Sequence, residues 1–352
     1  MPLFPTPTPR ELGFRMPAEW ERQAGTWMTW PARKNTSFPD GTHHDDLLPT
    51  FLAMIKAITA YQTLYLNCAD PDDRKYVLNA LTEEEKDRLI LTEIPAYYPW
   101  CRDHGSTFVI NDSSKQLAAV NWDYNAWGNK YREILHYDAR INRSMSQLLG
   151  VRSFLPNVVM EGGSIEVNGS GSVITTTQCL LNPNRNPHLS KEQIEEALRE
   201  FLNVSNVLWL DEGVAGDDTD GHIDDITRFV NADTVVTVVE SDTSDDNYHA
   251  LTQNLKTLQG MKTETGSKLN VIELPMPAPV ITDGARLPAS YANFYIGNGF
   301  ILQPVFGDKN DERAVSIIEG CFPDRKVIPI DCRELVWGLG TFHCLTQQMP
   351  AV

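Results

Sequence analysis

The feature that most constrains this chain is a pattern of two strands, a helix and a strand that recurs about every 65 residues. Segments 107–111 and 116–122 read as a hairpin, and a helix follows over roughly 128–149. Segments 164–168 and 172–177 form a second hairpin around Asn168-Gly169-Ser170-Gly171, with a helix over 190–202 and a strand at 207–210. A third round runs through 226–230, 234–240, a helix over 245–260 and a strand at 269–274. The fourth has strands at 291–296 and 300–303, a helix over 311–320 and a strand at 327–330. A fifth begins at 341–346 and stops short, and the strand that completes it is expected from the far N-terminus, at 25–30. Beyond that strand, helices over 47–61 and 70–81 alternate with strands at 63–66 and 89–94, and Asp70 with Pro71 behind it opens the second helix. Repeats of this kind imply a radial or stacked arrangement. In a radial one the first strand of each unit lies nearest the axis, and the loop leading into it opens at a shared mouth. No low-complexity linker divides the chain, so residues 1–352 read as one α/β domain.

Charge narrows the partners. The 352 residues carry 30 Lys and Arg against 47 Asp and Glu, a net charge of −17. Such a surface repels nucleic acid and anionic membranes and draws in cations, and it also keeps a protein in solution. Hydrophobic residues at 41% suffice for a sizeable core, and charged residues at 22% argue against disorder. There is no run of 18 apolar residues, so no membrane span is expected. The opening nine residues lack the basic start and apolar core of a signal peptide. Cysteines at 68, 101, 179, 321, 332 and 344 show no CxxC spacing, so reduced thiols in the cytoplasm are expected rather than a zinc ribbon. A symmetric homodimer is the default assembly.

Four segments share a glycine-and-acid character: Trp100-Cys101-Arg102-Asp103-His104-Gly105, Glu161-Gly162-Gly163-Ser164, Asp220-Gly221-His222-Ile223-Asp224-Asp225, and the stretch from Gly338 through Cys344 to Gln348. Cys344 follows Gly338 and Gly340, which let backbone or substrate approach closely. Buried cysteine is ordinarily a small hydrophobe, and Cys68, Cys179 and Cys321, in apolar surroundings, read that way. His222 and Asp224 share one face of an extended segment, where a carboxylate orients an imidazole for acid–base work. His222, Asp224 and Asp225 also offer three metal ligands, although hard carboxylates with a soft thiolate are an ill-matched set. His343, beside Cys344, points to the opposite strand face and reads as a poor base, and His43 and His44 read as solvated loop residues. Glu161 ends the apolar run Val158-Val159-Met160, and a carboxylate there requires a cation to offset its burial. Arg102 is the protein's own answer for Asp103; a cationic substrate is the other. Trp100 either stacks on a planar cation or belongs to the core. A planar guanidinium fits such a set of carboxylates best.

These residues resemble the agmatine deiminase family, which includes a bacterial type of peptidyl-arginine deiminase. The resemblance rests on residues 16–21, 25–31, 100–108, 161–166, 217–228, 290–294 and 343–348, and covers nearly the whole chain. It implies a five-bladed α/β propeller of ββαβ units with pseudo-fivefold symmetry, with the N-terminal strand closing the last blade. It also implies Cys344 as nucleophile, His222 as general acid–base, Asp103 and Asp224 as clamps on the guanidinium, and Glu161 as a further acid facing it. Many members lead to the cysteine with Gly-Gly-Gly-Asn, where this chain has Gly338-Leu339-Gly340-Thr341-Phe342. Many have His-Val-Asp-Asn where this chain has His222-Ile223-Asp224-Asp225, and a glutamate often stands at the position of Asp218. These departures bear on the part of the site that reads the substrate tail, where Asp218 is the expected partner of a free amine.

The implied activity is hydrolytic deimination of a cationic guanidino molecule, agmatine to N-carbamoylputrescine and ammonia, by way of a thiouronium on Cys344. The alternative substrate is a peptidyl arginine, converted to citrulline. No metal or organic cofactor is needed. A bound cation about 4 Å from the sulfur is worth roughly 4 kcal/mol at an effective dielectric near 20, enough to lower the thiol pKa by ~3 units. The substrate thereby helps to create its own nucleophile.

Overall fold

The computed structural model describes residues 3–32 and 44–352, with His44 described in its backbone alone. The sequence reading of His43 and His44 as solvated loop residues lies outside what is described, save that the His44 backbone begins the helix His44–Thr59.

Strands are numbered in chain order. β1 (Gln23–Thr29), β2 (Leu64–Asn67) and β3 (Leu89–Thr92) come first. β4 (Thr107–Asn111), β5 (Gln116–Val120) and β6 (Arg152–Phe154) follow, then β7 (Glu166–Val167), β8 (Ser172–Thr176) and β9 (Asn206–Leu210). Next are β10 (Thr227–Asn231), β11 (Thr234–Val239) and β12 (Asn270–Pro275), and a two-stranded ribbon of β13 (Ile281–Thr282) and β14 (Ala285–Arg286). β15 (Tyr295–Gly297), β16 (Phe300–Val305), β17 (Lys326–Asp331) and β18 (Thr346–Pro350) complete the set.

Four three-stranded sheets share one design: an antiparallel hairpin followed by a strand parallel to its second member. The orders are β4-β5-β6, β7-β8-β9, β10-β11-β12 and β15-β16-β17. The fifth sheet, β18-β1-β2-β3, follows the same rule with its first strand taken from the end of the numbering: β18 is antiparallel to β1, and β1 and β2 are parallel. The segment expected as a strand at 25–30 lies largely within β1, which pairs with β18, and the fold is α/β with mixed sheets. Parallel steps need a crossover, and the helices supply it.

The crossover helix Lys191–Leu202 illustrates how local sequence and packing agree. Ser190 accepts from the Gln193 backbone N–H at 3.3 Å, and the Gln193 side chain accepts from the Ser190 N–H at 2.8 Å. Ile194, Ala197, Leu198, Phe201 and Leu202 recur at helical spacing and are all buried. Burying each of the larger ones contributes about 1.5–3 kcal/mol. Asp70 caps the helix Pro71–Ala80 as expected, accepting from the N–H groups of Asp72 at 2.8 Å and Asp73 at 3.2 Å.

Several expectations fail locally, and the strand expected at 291–296 begins only at Tyr295. The helix expected over 128–149 is continuous only as Ile141–Leu149. Before it the chain kinks through Ala126, Trp127, Gly128 and Asn129, all at positive φ, and this turns the Trp127 ring inward. The run expected as strand at 341–346 is a helical turn, Phe342–Leu345, and the strand starts at Thr346.

Candidate active site

Each of the five sheets is preceded by a short turn, and these turns supply the polar residues expected to act together. The helical turn Cys101–His104 leads to β4 and carries Asp103. Glu161 and the turn Gly162–Ser164 lead to β7. His222 and the turn Ile223–Asp225 lead to β10. Asn293 leads to β15, and the turn Phe342–Leu345 carries Cys344 into β18. Ile223–Asp225 and Phe342–Leu345 are helical turns, contrary to the extended reading of 222–225 and 341–346, and Cys101–His104 is one as well. A tight turn can aim consecutive side chains at one point, which a strand cannot.

Cys344 Sγ lies 3.6 Å from Asp224 Oδ2 and lines a cavity together with Trp100, Asp103, Trp127, Tyr131 and Asp218. His222 Nδ1 stands 3.8 Å from Asp103 Oδ1, and its Nε2 stands 3.9 Å from Glu161 Oε2. Cys344, His222, Asp103, Asp224 and Glu161 are all buried, and the structure thus brings the five together. Both His222 nitrogens, Glu161 Oε2 and Asp224 Oδ1 are buried without a hydrogen-bond partner. Such atoms are costly unless a ligand answers them. Gly163 is required at their centre. A Cβ there would sit 2.5 Å from His222 Nδ1, 2.9 Å from Asp103 Oδ1 and 3.1 Å from Asp224 Oδ2. Gly340 plays a similar part: its Cβ would fall 2.9 Å from the Trp100 ring and 3.2 Å from the sulfur.

The carboxylates are held in different ways. Asp103 accepts from Trp127 Nε1 at 2.8 Å and from the Gly163 N–H at 3.0 Å. Arg102 does not pair with it. That guanidinium turns the other way, to Glu19 at 3.1 Å, Gln348 at 2.5 Å and the His343 carbonyl at 3.3 Å. Glu161 receives Arg185 Nε at 2.8 Å, with both side chains fully buried. Asp224 is held by His343, whose Nδ1 lies 2.6 Å from Oδ2 and whose Nε2 lies 2.9 Å from Glu19 Oε2. His343 thus faces the site, not away from it as a strand would have placed it. Asp218, at the cavity wall, accepts from the Tyr131 hydroxyl.

Burial and charge set the protonation states. Burial pushes the Asp103 carboxyl up to about 6, with the charges of Asp224 and Glu161 adding to it and His222 opposing. Burial works against a charged His222, yet the Asp103 charge, with Cys179 and Glu161 beside the ring, raises it well above the ordinary histidine value. Burial and then the charges of Asp224, Asp225 and Asp103 hold the Cys344 thiol well above its ordinary value. Burial alone would raise Asp224 and Glu161, but His343 draws the first below the usual carboxylate range and Arg185 the second.

Two donor sets among the described residues are close enough to face one ion: Glu161, Cys179 and His222, and Asp224, Asp225 and Cys344. In the first, Glu161 is already answered by Arg185; in the second, Asp224 is answered by His343. Each pairs hard oxygen with soft sulfur, a poor match for a metal. Cys179 is therefore not merely a core thiol, since it packs against His222.

Sequence reasoning missed Glu19, Trp127, Arg185, Asn293 and the inward role of His343. Glu19 and Asn293 lie in stretches already singled out, 16–21 and 290–294. Arg185 and Trp127 had no local signal, because a loop residue reveals its partner only in three dimensions.

Comparison with known proteins bears on the whole chain. The family model for Porphyromonas-type peptidyl-arginine deiminase matches residues 15–350. A protein of Pseudomonas aeruginosa (strain LESB58) described as agmatine deiminase is 37% identical over 370 residues, covering 99% of this chain and 98% of that protein. The structure of agmatine deiminase of Enterococcus faecalis superposes with a TM-score of 0.91 at 32% identity, covering 98% of both chains. A Cys-to-Ser variant of C. jejuni agmatine deiminase with substrate bound superposes with a TM-score of 0.84 at 28% identity, covering 96% of both.

Proposed function

The chain belongs to the Porphyromonas-type peptidyl-arginine deiminase family, and from that premise we propose that it hydrolyses agmatine to N-carbamoylputrescine and ammonia through a covalent intermediate on Cys344. The observation that carries this reading is a sulfur 3.6 Å from Asp224, in a cavity that Asp103 also lines, with His222 between Asp103 and Glu161.

Asp103 and Asp224 take the guanidinium in paired charge-assisted hydrogen bonds. The cation neutralises the field that keeps the thiol protonated, and the thiol proton leaves to solvent. The thiolate attacks the central carbon. Imidazolium His222 gives a proton to one amino group, the carbon–nitrogen bond breaks, and ammonia departs. A thiouronium cation remains on sulfur and His222 is now neutral. It takes a proton from water as the hydroxide adds to the same carbon. The carbon–sulfur bond then breaks, the protonated urea passes its proton to sulfur, and the resting state returns. Glu161 steadies His222 through both transfers.

Asp218 and Tyr131, at the wall of the cavity, suit an ammonium tail, and the same carboxylate would repel the terminal carboxylate of an arginine peptide. Trp100 stacks against the flat cation. The five sheets stand as the blades of one propeller domain, a reading supported by the convergence of the five leading turns. Six free cysteines fit a reducing, cytoplasmic setting. Among the described residues no helix is long and apolar enough to cross a membrane. The acidic surface disfavours nucleic acid, and a homodimer is the assembly to test first.

The test replaces Cys344 with Ala and follows ammonia release from agmatine, while mass spectrometry of wild-type protein quenched during turnover seeks an amidino adduct on Cys344. Loss of turnover and an adduct at that residue are expected. Retained turnover, or an adduct elsewhere, overturns the reading. kcat/KM on agmatine is expected to exceed that on a C-terminal arginine peptide.

A further inference from the structure

We propose that Cys179 is a positioning residue for the reaction, a buried neutral thiol that braces the His222 imidazole against Glu161 and keeps it aimed at the substrate. The inference rests on the acid–base role of His222 given above and names the group that holds the ring in that role.

The His222 backbone is fixed, its N–H donating to Asp217 Oδ2 at 3.0 Å and to Thr219 Oγ1 at 3.2 Å. Its ring is not. Nδ1 stands 3.8 Å from Asp103 and Nε2 3.9 Å from Glu161, both too long for a hydrogen bond, and neither nitrogen has a partner. The third polar group at the ring comes from outside the turns that lead into the sheets. β8 runs directly into the helical turn Thr177–Leu180, which carries Cys179. Its sulfur, a His222 ring nitrogen and a Glu161 carboxylate oxygen all lie within 4.8 Å of one another, and all three residues are fully buried. One hydroxyl ties this turn to the loop of the histidine. Thr176 Oγ1 accepts from the Cys179 N–H at 3.2 Å and donates to the carbonyl of Gly221, the neighbour of His222, at 2.6 Å. Sulfur and ring are thereby held in register by the main chain as well.

A thiol suits a carboxylate and an imidazolium that stand too far apart to meet. Burial pushes the Cys179 thiol above its ordinary value, so it stays neutral beside Glu161. A neutral thiol turns its S–H to the carboxylate and its lone pairs to a ring N–H, answering both, and both weakly. Weakness is what the reaction requires. His222 gives a proton and then takes one, and a strong fixed partner would hold it in a single state. The remaining groups about the ring are charged: Asp103 and Glu161 from other turns, Asp224 and Asp225 from its own. Another carboxylate in place of the thiol would crowd these acids, and an amine would repel the imidazolium.

The test titrates His222 in substrate-free protein by NMR of carbon-13-labelled histidine, its resonance assigned by loss in His222→Gln, and measures kcat and KM on agmatine alongside. A neutral hydrogen bond is worth about half to one pKa unit, and Cys179→Ala should lower the His222 titration by that amount. It should also lower kcat about 10-fold with KM within about twofold, since the ring is misplaced while the carboxylates that clamp the cation stay where they are. Cys179→Ser returns a neutral donor and acceptor, and should restore the titration and most of kcat. The space left by the sulfur is common to both variants, so the difference between them separates the polar contact from packing. If Cys179→Ala does not fold, Thr176→Val decides: it keeps the sulfur but frees its turn, and should shift the titration the same way by less. An unmoved titration in the folded variant, or a serine no better than alanine, overturns the inference. Should wild-type protein release no ammonia from agmatine, the proposed activity fails, whereas turnover with an unmoved titration overturns the Cys179 inference alone.

Discussion

His343 Nδ1 lies 2.6 Å from Asp224 Oδ2 while its Nε2 lies 2.9 Å from Glu19 Oε2, so one imidazole spans two buried carboxylates. Glu19 is in turn gripped by Arg102 and Arg228, each at 3.1 Å, and by the Ile296 N–H at 2.7 Å. The orientation of Asp224 is thus inherited from a residue far off in sequence. His343→Ala should lower kcat/KM on agmatine by about 10- to 100-fold, the cost of one charge-assisted hydrogen bond to a buried group. Because His343 is what draws the Asp224 carboxyl down, the acid limb of kcat/KM against pH should also move to higher pH in that variant. An unmoved limb would show that Asp224 does not depend on the ring.

Asp103 sets activity and stability in opposition. Its carboxyl moves from 3.8 to about 6 on folding, through burial first and then the neighbouring acids. A raised acid binds its proton more tightly in the folded state. Its contribution to stability is full below about pH 4 and is lost as pH rises through about 6, a change of about 3 kcal/mol. Over the same interval kcat/KM should rise, since only the carboxylate clamps a cation. Urea denaturation and agmatine kinetics across that window check both trends. Asp103→Asn should abolish the second and flatten the first; an unchanged pH profile of stability in Asp103→Asn would contradict the assignment.

Glu161 depends on Arg185. With the Nε to Oε1 distance at 2.8 Å and no solvent on either side chain, Arg185→Met strands a buried charge. The expected loss is about 3–5 kcal/mol by urea denaturation. Combining it with Glu161→Gln should restore part of that loss, because the stranded charge is gone. Additive losses in the double variant would refute the pairing.

Gly163→Ala places a methyl against His222, Asp103 and Asp224 at once. It should lower kcat/KM by about 100-fold, as misplacement of catalytic groups by an ångström does. Gly260→Ala is the control. Its Cβ meets nothing within 4 Å, and it should leave activity intact and change stability by no more than about 1 kcal/mol.

The repeat was legible because hydrophobic period and turn residues punctuate long segments strongly. β8, β11 and β16 lie almost where the apolar runs place them, and the order of strands within each unit follows. The union of β18 with β1 was also legible, since an unfinished unit at one end and a spare strand at the other call for each other. Conformation within the site was not. Cys101–His104, Ile223–Asp225 and Phe342–Leu345 are three or four residues long, too short for periodicity to separate a helical turn from a strand. Partnerships were harder still. Arg102 sits beside Asp103 in sequence yet serves Glu19, and the acid that needed a cation, Glu161, found Arg185 across a loop. Trp127 reaches Asp103 only through a left-handed backbone that no propensity favours.

The join between β18 and β1 ties the turn that holds Cys344 to a stretch of chain remote from it in sequence. That turn, Phe342–Leu345, runs straight into β18, and β18 is held by its ladder with β1, through pairs such as Trp27 with Gln347 and Met28 with Thr346. Loosening the ladder from either strand would therefore unsettle the sulfur without altering any group that lines the cavity.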